Sequence, residues 1–412
     1  MSASDGVRAE QATVVPDRSF SFLANARREV ERRGLDDVPV VDCDCHLYET
    51  TAMPEIVRYI ENPNLRRSFE RSTASMVMHT MVPGNLGDRS VSGRIKTNLD
   101  MQLPTGELSE IHPLAAGMLH SMDQMAIDYS ILFPTPMLTL GAHPQPEMEV
   151  ELGRAYNRWL VRDVLPASPR IRTMVYLPMS NPEASIACIE EFAEAPGVVG
   201  FMITAVRYQP IHENRFMPVF AALNERGAPL AFHAGPNWSE RPFEQLNRFL
   251  SAHALGFPFY AMLQLTNVVV NGLPERFPNV RFIFMEAGQA WVPFLIARLD
   301  SEYRQRTSEA PLLKRLPSAY IRDMFFTTQP FERLDSVDHM RAVFESMAGD
   351  TQLLYSSDYP HQDFDLPTVI WDLPFLSEQA KRNILGENAM RLFGLPHPRS
   401  SVDSYGVRST TP

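Results

Sequence analysis

Cysteine is scarce in this 412-residue chain: three residues cannot build a disulfide framework, which points to a reducing compartment. Long apolar runs are absent, so no segment reads as a bilayer span. Residues 1–11 are polar and charged, without the apolar centre of a secretion signal. The expectation is a cytoplasmic protein with no membrane partner. Positive charge is in deficit as well: Lys+Arg 38 against Asp+Glu 49 leaves a net charge of −11, and no basic run interrupts that field. Such a surface repels phosphate backbones, which excludes nucleic acid as the expected partner. No repeat recurs at a solenoid period. What is present is ordinary globular material, 44% hydrophobic and 21% charged, which rules out a wholly disordered chain.

The length suits one large α/β barrel carrying insertions. Residues 1–37 are polar apart from a helical patch at 20–30 and read as an amino-terminal arm for docking rather than a domain. Residues 397–412, rich in Ser, Thr, Pro and Arg, read as a flexible tail. Between them, over 38–396, short apolar runs alternate with longer helical patterns. Strands are predicted at 38–43, 129–133, 172–177, 198–203, 229–233, 280–286, 324–328 and 352–357, each bounded by Pro, Gly, Asn or Asp. Helices are predicted at 147–165, 181–195, 215–226, 244–271, 290–306, 331–347 and 377–393. Eight strands separated by helices predict a distorted (β/α)8 TIM barrel, with its site at the carboxyl ends of the strands. A doubly wound sheet is the other option, but no glycine-rich phosphate loop follows the first strand. Residues 61–113, with Gly84, Gly87, Gly93 and Gly106, break the alternation and read as an insertion capping the barrel mouth.

Polar residues gather where the predicted strands end. The first strand continues Val40-Val41-Asp42-Cys43-Asp44-Cys45-His46, and strand alternation puts Asp42, Asp44 and His46 on one face. A carboxylate and an imidazole two residues apart can chelate a divalent cation, although alone such a pair is equally a helix cap and a surface histidine. The fifth strand ends Phe232-His233-Ala234-Gly235, where a ligand or a satisfied core histidine fits equally. The eighth ends Ser356-Ser357-Asp358-Tyr359-Pro360-His361, with Asp358 either a ligand and acid/base or an N-cap. Strands one, five and eight of a barrel converge on one mouth, so the three signals reinforce one another. Cys43 and Cys45, out of phase with the ligands, are expected in the core facing the helices. The 21 methionines suggest an adaptable apolar interior.

Taken together, residues 42–49, His233, the run 357–361, the stretch from Glu286-Ala287-Gly288-Gln289 to Arg298-Leu299-Asp300 and Ile384–Ala389 resemble the amidohydrolase superfamily, in its amidohydrolase-2 branch of metal-dependent decarboxylases and hydrolases. The likeness runs from about residue 38 to 395. It implies a distorted (β/α)8 barrel and one divalent metal ion held by Asp44, His46, His233 and Asp358, with zinc first and manganese or iron also suited to two carboxylates and two imidazoles. The first strand here carries Asp44-x-His46 where the better-known decarboxylases often have His-x-His or Glu-x-His. Where their sixth strand often ends in a catalytic histidine, this chain has Glu286, a ligand, an acid/base or a water-orienting group by one reading, and a partner of Arg298 or a helix cap by the other.

Further candidates are His361, near enough to Asp358 to reach the mouth, and Glu49, expected to hydrogen-bond a metal-bound histidine. Arg207 is a candidate anchor for a substrate carboxylate. Asn237, Trp238 and His253 are candidate pocket-lining residues. Three activities follow. One is non-oxidative decarboxylation of a small aromatic or conjugated acid, with Asp358, Glu286 or His361 moving the proton. The second is metal-dependent hydrolysis of an amide, ester or lactone. The third is a non-catalytic role as partner or maturation protein of another enzyme. A small-molecule substrate and a homodimer are expected.

Overall fold

A computed structural model of the protein describes residues 19–71, 107–205, 210–235, 243 and 245–398. Eight strands follow one another in chain order around a single sheet. They are β1 (Val41–Leu47), β2 (Tyr129–Pro134), β3 (Ile171–Tyr176), β4 (Val198–Thr204), β5 (Leu230–His233), β6 (Phe282–Met285), β7 (Phe325–Thr327) and β8 (Leu353–Leu354), each parallel to the next. An amino-terminal helix α1 (Ser19–Arg33) precedes them. One principal helix then follows each strand in turn: α2 (Pro113–Met125), α3 (Pro146–Trp159), α4 (Pro182–Phe192), α5 (Met217–Arg226), α6 (Phe249–Val270), α7 (Trp291–Gln305), α8 (Val337–Ser346) and α9 (Asn388–Phe393). The (β/α)8 expectation therefore holds. Helices cover the outside of the sheet, so both strand faces are buried and the strands read as nearly continuous apolar runs. Cys45 illustrates the outward face: its Sγ lies 3.2 Å from Met118 Sδ on α2. Among the described residues no helix is long and apolar enough to cross a membrane.

Departures from the predicted elements have local causes. The first strand was expected at 38–43 but runs Val41–Leu47, because the polar residues after Asp42 stay in the sheet and point into the barrel. The register slips by one residue between Asp42 and Cys45. The helix expected at 331–347 begins only at Val337, where the Ser336 side chain accepts the His339 N–H; Phe331 N–H is instead taken by Asp365 Oδ2 at 3.0 Å. No helix was expected over α2, which His112 caps by accepting the Leu114 N–H. Helix α1 lays Leu23, Ala26 and Val30 into the main core, and Arg33 clasps both oxygens of Asp372 at 2.7 and 2.5 Å. Most of the expected capping insertion, residues 72–106, lies outside the described residues.

Closure of the barrel is the feature that positions the site. Only Leu353 and Leu354 pair regularly with β7. The chain beyond them bonds to β1: Cys43 N–H donates to Tyr355 O at 2.9 Å, Asp358 N–H to Asp44 O at 2.8 Å and His46 N–H to Tyr359 O at 2.8 Å. Asp42 clasps this seam. Its carboxylate accepts the Ser357 N–H at 2.8 Å, the Ser357 hydroxyl at 2.5 Å and the Asp44 N–H at 3.2 Å. Burial pushes the Asp42 carboxyl up to about 7, the bonds from Ser357 offsetting only part of that rise. Asp42→Ala leaves those donors buried without an acceptor and is expected to lower stability by about 2–4 kcal/mol, measured as an earlier denaturant midpoint. Asp42→Asn can still accept from the Ser357 N–H and donate to its Oγ, so it should lose clearly less. Equal losses would show that the charge, and not the hydrogen-bond pattern, holds the seam.

Candidate metal centre

The interior face of β1 presents Asp44 and His46, β5 ends in His233, and Glu286 and Asp358 stand just beyond β6 and β8. All five are buried. His46 Nε2 lies 3.1 Å from Asp44 Oδ1 and 3.2 Å from Asp358 Oδ1. His233 Nε2 lies 3.0 Å from the same Asp44 oxygen, and His233 Nδ1 lies 3.5 Å from Glu286 Oε2. His361 Nδ1 meets Asp358 Oδ1 at 2.7 Å. Two overlapping groups of potential ligand atoms result, each within 4.8 Å of one another: Asp44, His46, His233 and Glu286, and then His46, Glu286, Asp358 and His361. The other three residues that the resemblance implied as ligands thus lie around His46, which with Glu286 joins both groups.

Hydrogen bonds on the far side of the rings fix which nitrogen faces the centre. His46 Nδ1 is 2.9 Å from Pro134 O and His233 Nδ1 is 2.8 Å from Ala234 O. A carbonyl only accepts, so Nδ1 carries the hydrogen in both rings and each Nε2 turns a lone pair inward. There they meet carboxylate oxygens, which also carry lone pairs. Asp44 Oδ2, His46 Nε2 and Glu286 Oε2 are buried with no hydrogen-bond partner. Buried acceptors that face one another need a proton or a cation between them, and carboxylate with imidazole is the donor set of a divalent transition metal. These residues fit a divalent metal ion.

Electrostatics divides the carboxyls into two kinds. Burial pushes Asp44 up, but His233 and His46 outweigh it and hold the group well below the usual range. Asp358 behaves likewise: burial raises it, while His361 and His46 bring it below its ordinary value. Glu286 goes the other way, driven well up by burial and then by the charges of Asp358 and Asp44. Burial works to lower His46, and Asp44 and Asp358 reverse that and raise it well above the usual imidazole value.

Backbone conformation adds a second mark. Glu286 and Asp358 have φ of +54° and +64°, left-handed values that a non-glycine residue holds at a cost of about 1–3 kcal/mol. Glu286 is held by its N–H to Thr327 Oγ1 at 3.0 Å, Asp358 by its N–H to Asp44 O. The turn after Glu286 is built on Gly288, at φ +69°, where a Cβ would come within 2.6 Å of the Glu332 carboxyl carbon. Glu332 Oε2 accepts the Gln289 and Ala290 N–H groups at 2.8 and 2.6 Å and so caps α7. Arg298 pairs with Glu302 at 2.9 Å. Neither structural alternative for Glu286, a partner of Arg298 or a helix cap, is therefore realised.

The remaining candidates separate. His361 is in the cluster. His253, on α6, has its Nε2 4.0 Å from Asp363 Oδ2 and its ring against Phe257, and belongs to neither ligand group. Glu49 corrects an expectation: it does not bond a histidine, because its two oxygens accept the Thr135 N–H at 2.9 Å and the Met137 N–H at 2.7 Å. Burial pushes its carboxyl up to about 7, against those two bonds. Arg207, Asn237 and Trp238 lie outside the described residues. Sequence reading missed Thr135, whose Oγ1 is 3.3 Å from His361 Nε2, and the Asp42–Ser357 clasp. The clasp had a signal, since Asp42 shares the ligand face; a lone threonine after β2 had none.

Comparison with known proteins identifies the family. The profile of the amidohydrolase family matches residues 41–395. The 2-amino-3-carboxymuconate-6-semialdehyde decarboxylase of Dictyostelium discoideum is 22% identical over 284 residues, 67% of this chain and 76% of that protein. The crystal structure of 5-carboxyvanillate decarboxylase from Sphingomonas paucimobilis has the same fold, with a TM-score of 0.62 at 22% identity over 87% of this chain and 100% of the other. A dihydroxybenzoic acid decarboxylase from Polaromonas, solved with bound manganese and the inhibitor 2-nitroresorcinol, gives a TM-score of 0.62 at 15% identity over 87% of this chain and 97% of the other. With the family match running from the first residue of β1 past the end of α9, this chain belongs to the amidohydrolase family and is an enzyme of that superfamily.

Proposed function

We propose that the protein is a metal-dependent lyase that removes carbon dioxide, without oxidation, from a small aromatic or conjugated carboxylic acid. The observation that carries the reading is one buried centre in which Glu286, with an unpartnered Oε2, stands among the Asp and His ligand atoms and has the raised proton affinity that Asp44 and Asp358 lack. The decarboxylases among the relatives support the choice of reaction.

Asp44, His46, His233 and Asp358 would hold the ion, which when bound supplies a Lewis acid for the substrate carboxylate and a neighbouring oxygen. Zinc, manganese and iron all suit these donors, and the manganese in the Polaromonas relative makes that ion the first to try beside zinc. Asp358, kept ionised by His46 and His361, orients and does not carry the proton. Glu286 carries it: the carbon–carboxyl bond breaks, carbon dioxide leaves, and the electron pair left on carbon takes the Glu286 proton. Burial keeps bulk water from competing at that carbon.

Two outcomes are expected. Elemental analysis of the purified protein should find about one equivalent of divalent metal, lost in Asp44→Ala and His233→Ala; no metal after reconstitution would overturn the reading. Against a panel of aromatic acids the loaded enzyme should release carbon dioxide and, in heavy water, place one deuterium on the freed carbon. Glu286→Gln should slow that release by about 10²-fold or more while retaining the metal. Turnover of esters or lactones with no carbon dioxide from any acid would assign a hydrolase instead.

A further inference from the structure

Glu49, like the seam residue Asp42, is a buried carboxylate next to the centre that neither holds the ion nor moves a proton in the mechanism above. It stands three residues beyond His46, in a short 3-10 helix (Glu49–Ala52) that follows β1, and is fully buried. Among the described residues no Lys or Arg forms an ion pair with it. Burying a carboxylate without a cation is costly, and a position that needed only packing would be filled by an apolar side chain.

Its two oxygens are spent on a single turn. Oε2 takes the Thr135 N–H and Oε1 the Met137 N–H, at the point where β2 ends. The same turn touches two site imidazoles. Its Pro134 carbonyl receives the His46 Nδ1–H at 2.9 Å, and its Thr135 hydroxyl lies 3.3 Å from His361 Nε2. His361 Nδ1 faces the carboxylate of Asp358, which only accepts, so Nδ1 bears the hydrogen and Nε2 accepts from Thr135. Only a carboxylate offers an acceptor to both N–H groups; the amide of Gln would set an NH2 against one of them.

We infer that Glu49 is a positioning residue for both imidazoles: by fixing the turn at 134–137 it sets the tautomer and aim of His46 through Pro134 O and of His361 through Thr135 Oγ1. The inference rests on the reading of His46 as a metal ligand. It adds that ligand geometry on β1 is governed from the end of β2.

The test compares the full-length protein with Glu49→Gln, Thr135→Val and Thr135→Ser, using histidine 15N spectra of the metal-free protein and manganese and zinc affinity by competition with a chromophoric chelator. Glu49→Gln should move the His46 and His361 ring signals together, leave His339 on outer helix α8 in place, and weaken metal affinity by about 10–100-fold. Thr135→Val, which keeps the backbone N–H groups, should move His361 alone, and Thr135→Ser should restore it. If Glu49→Gln does not fold, Glu49→Asp, one methylene too short to reach both donors, takes its place with the same expectations. Unmoved imidazole signals with wild-type metal affinity, or a shift of His339 equal to that of the site rings, would overturn the inference. A wild-type protein without metal affinity whose Glu49 variant still moves both rings would overturn the metal reading and leave the positioning role standing.

Discussion

After Leu354 the backbone stops pairing with β7 and turns to β1, and three hydrogen bonds across that seam set Asp358 beside Asp44 and His46. The 2.8 Å bond from Asp358 N–H to Asp44 O joins the chain after β8 directly to β1, and both residues are carboxylates of the centre. Closing the barrel and assembling the centre are therefore one event. Strand pairing this distant in sequence gains nothing until the intervening chain has folded, so the site forms late and only on a complete barrel. The Asp42–Ser357 clasp belongs to the same seam and is buried, so its donors have no water to fall back on.

The charges assembled by the seam explain the rest of the architecture. Asp44 and Asp358 stay ionised in a place that disfavours ions, which requires positive charge nearby. Without an ion, His46 must supply it as imidazolium, which is why its proton affinity rises. A divalent cation would take over that role and free the Nε2 lone pair already aimed inward by Pro134 O. The ligand atoms already stand within 4.8 Å of one another in each group, which favours binding with little rearrangement.

Much of this was legible in the chain itself. Eight short apolar runs alternating with helical patterns announced the barrel, because parallel strands covered by helices are apolar on both faces. Polar residues ending strands one, five and eight announced the centre, because the mouth is the only part of such a strand where Asp and His can be placed with function. The bounds of the first strand were set three to four residues early, although its alternation was followed on through Asp44 and His46. The partners of Glu49, not its place beside His46, were misassigned: they are backbone N–H groups of a turn 86 and 88 residues away, and backbone donors carry no sequence signal. Glu332 as the cap of α7 was hidden in the same way.

Glu286 is where this chain departs from the resemblance, which expects an imidazole at the end of the sixth strand. The exchange alters the chemistry in a definite direction. A protonated carboxyl is neutral, so it adds no charge to a centre that already contains Asp44 and Asp358. In the proposed reaction it would become a carboxylate beside them once its proton had gone to carbon, and burial would favour its taking a proton back. Imidazole would leave the opposite pattern, a favourable positive charge before the reaction and none after it, and would hold its proton against the same two aspartates. The strained φ of Glu286 has a place in this account, because the left-handed turn sends the carboxyl inward toward His233 while the following residues, pinned by Glu332, start α7. The backbone bonds between β1 and the chain after β8 fix the two aspartates beside which that carboxyl stands.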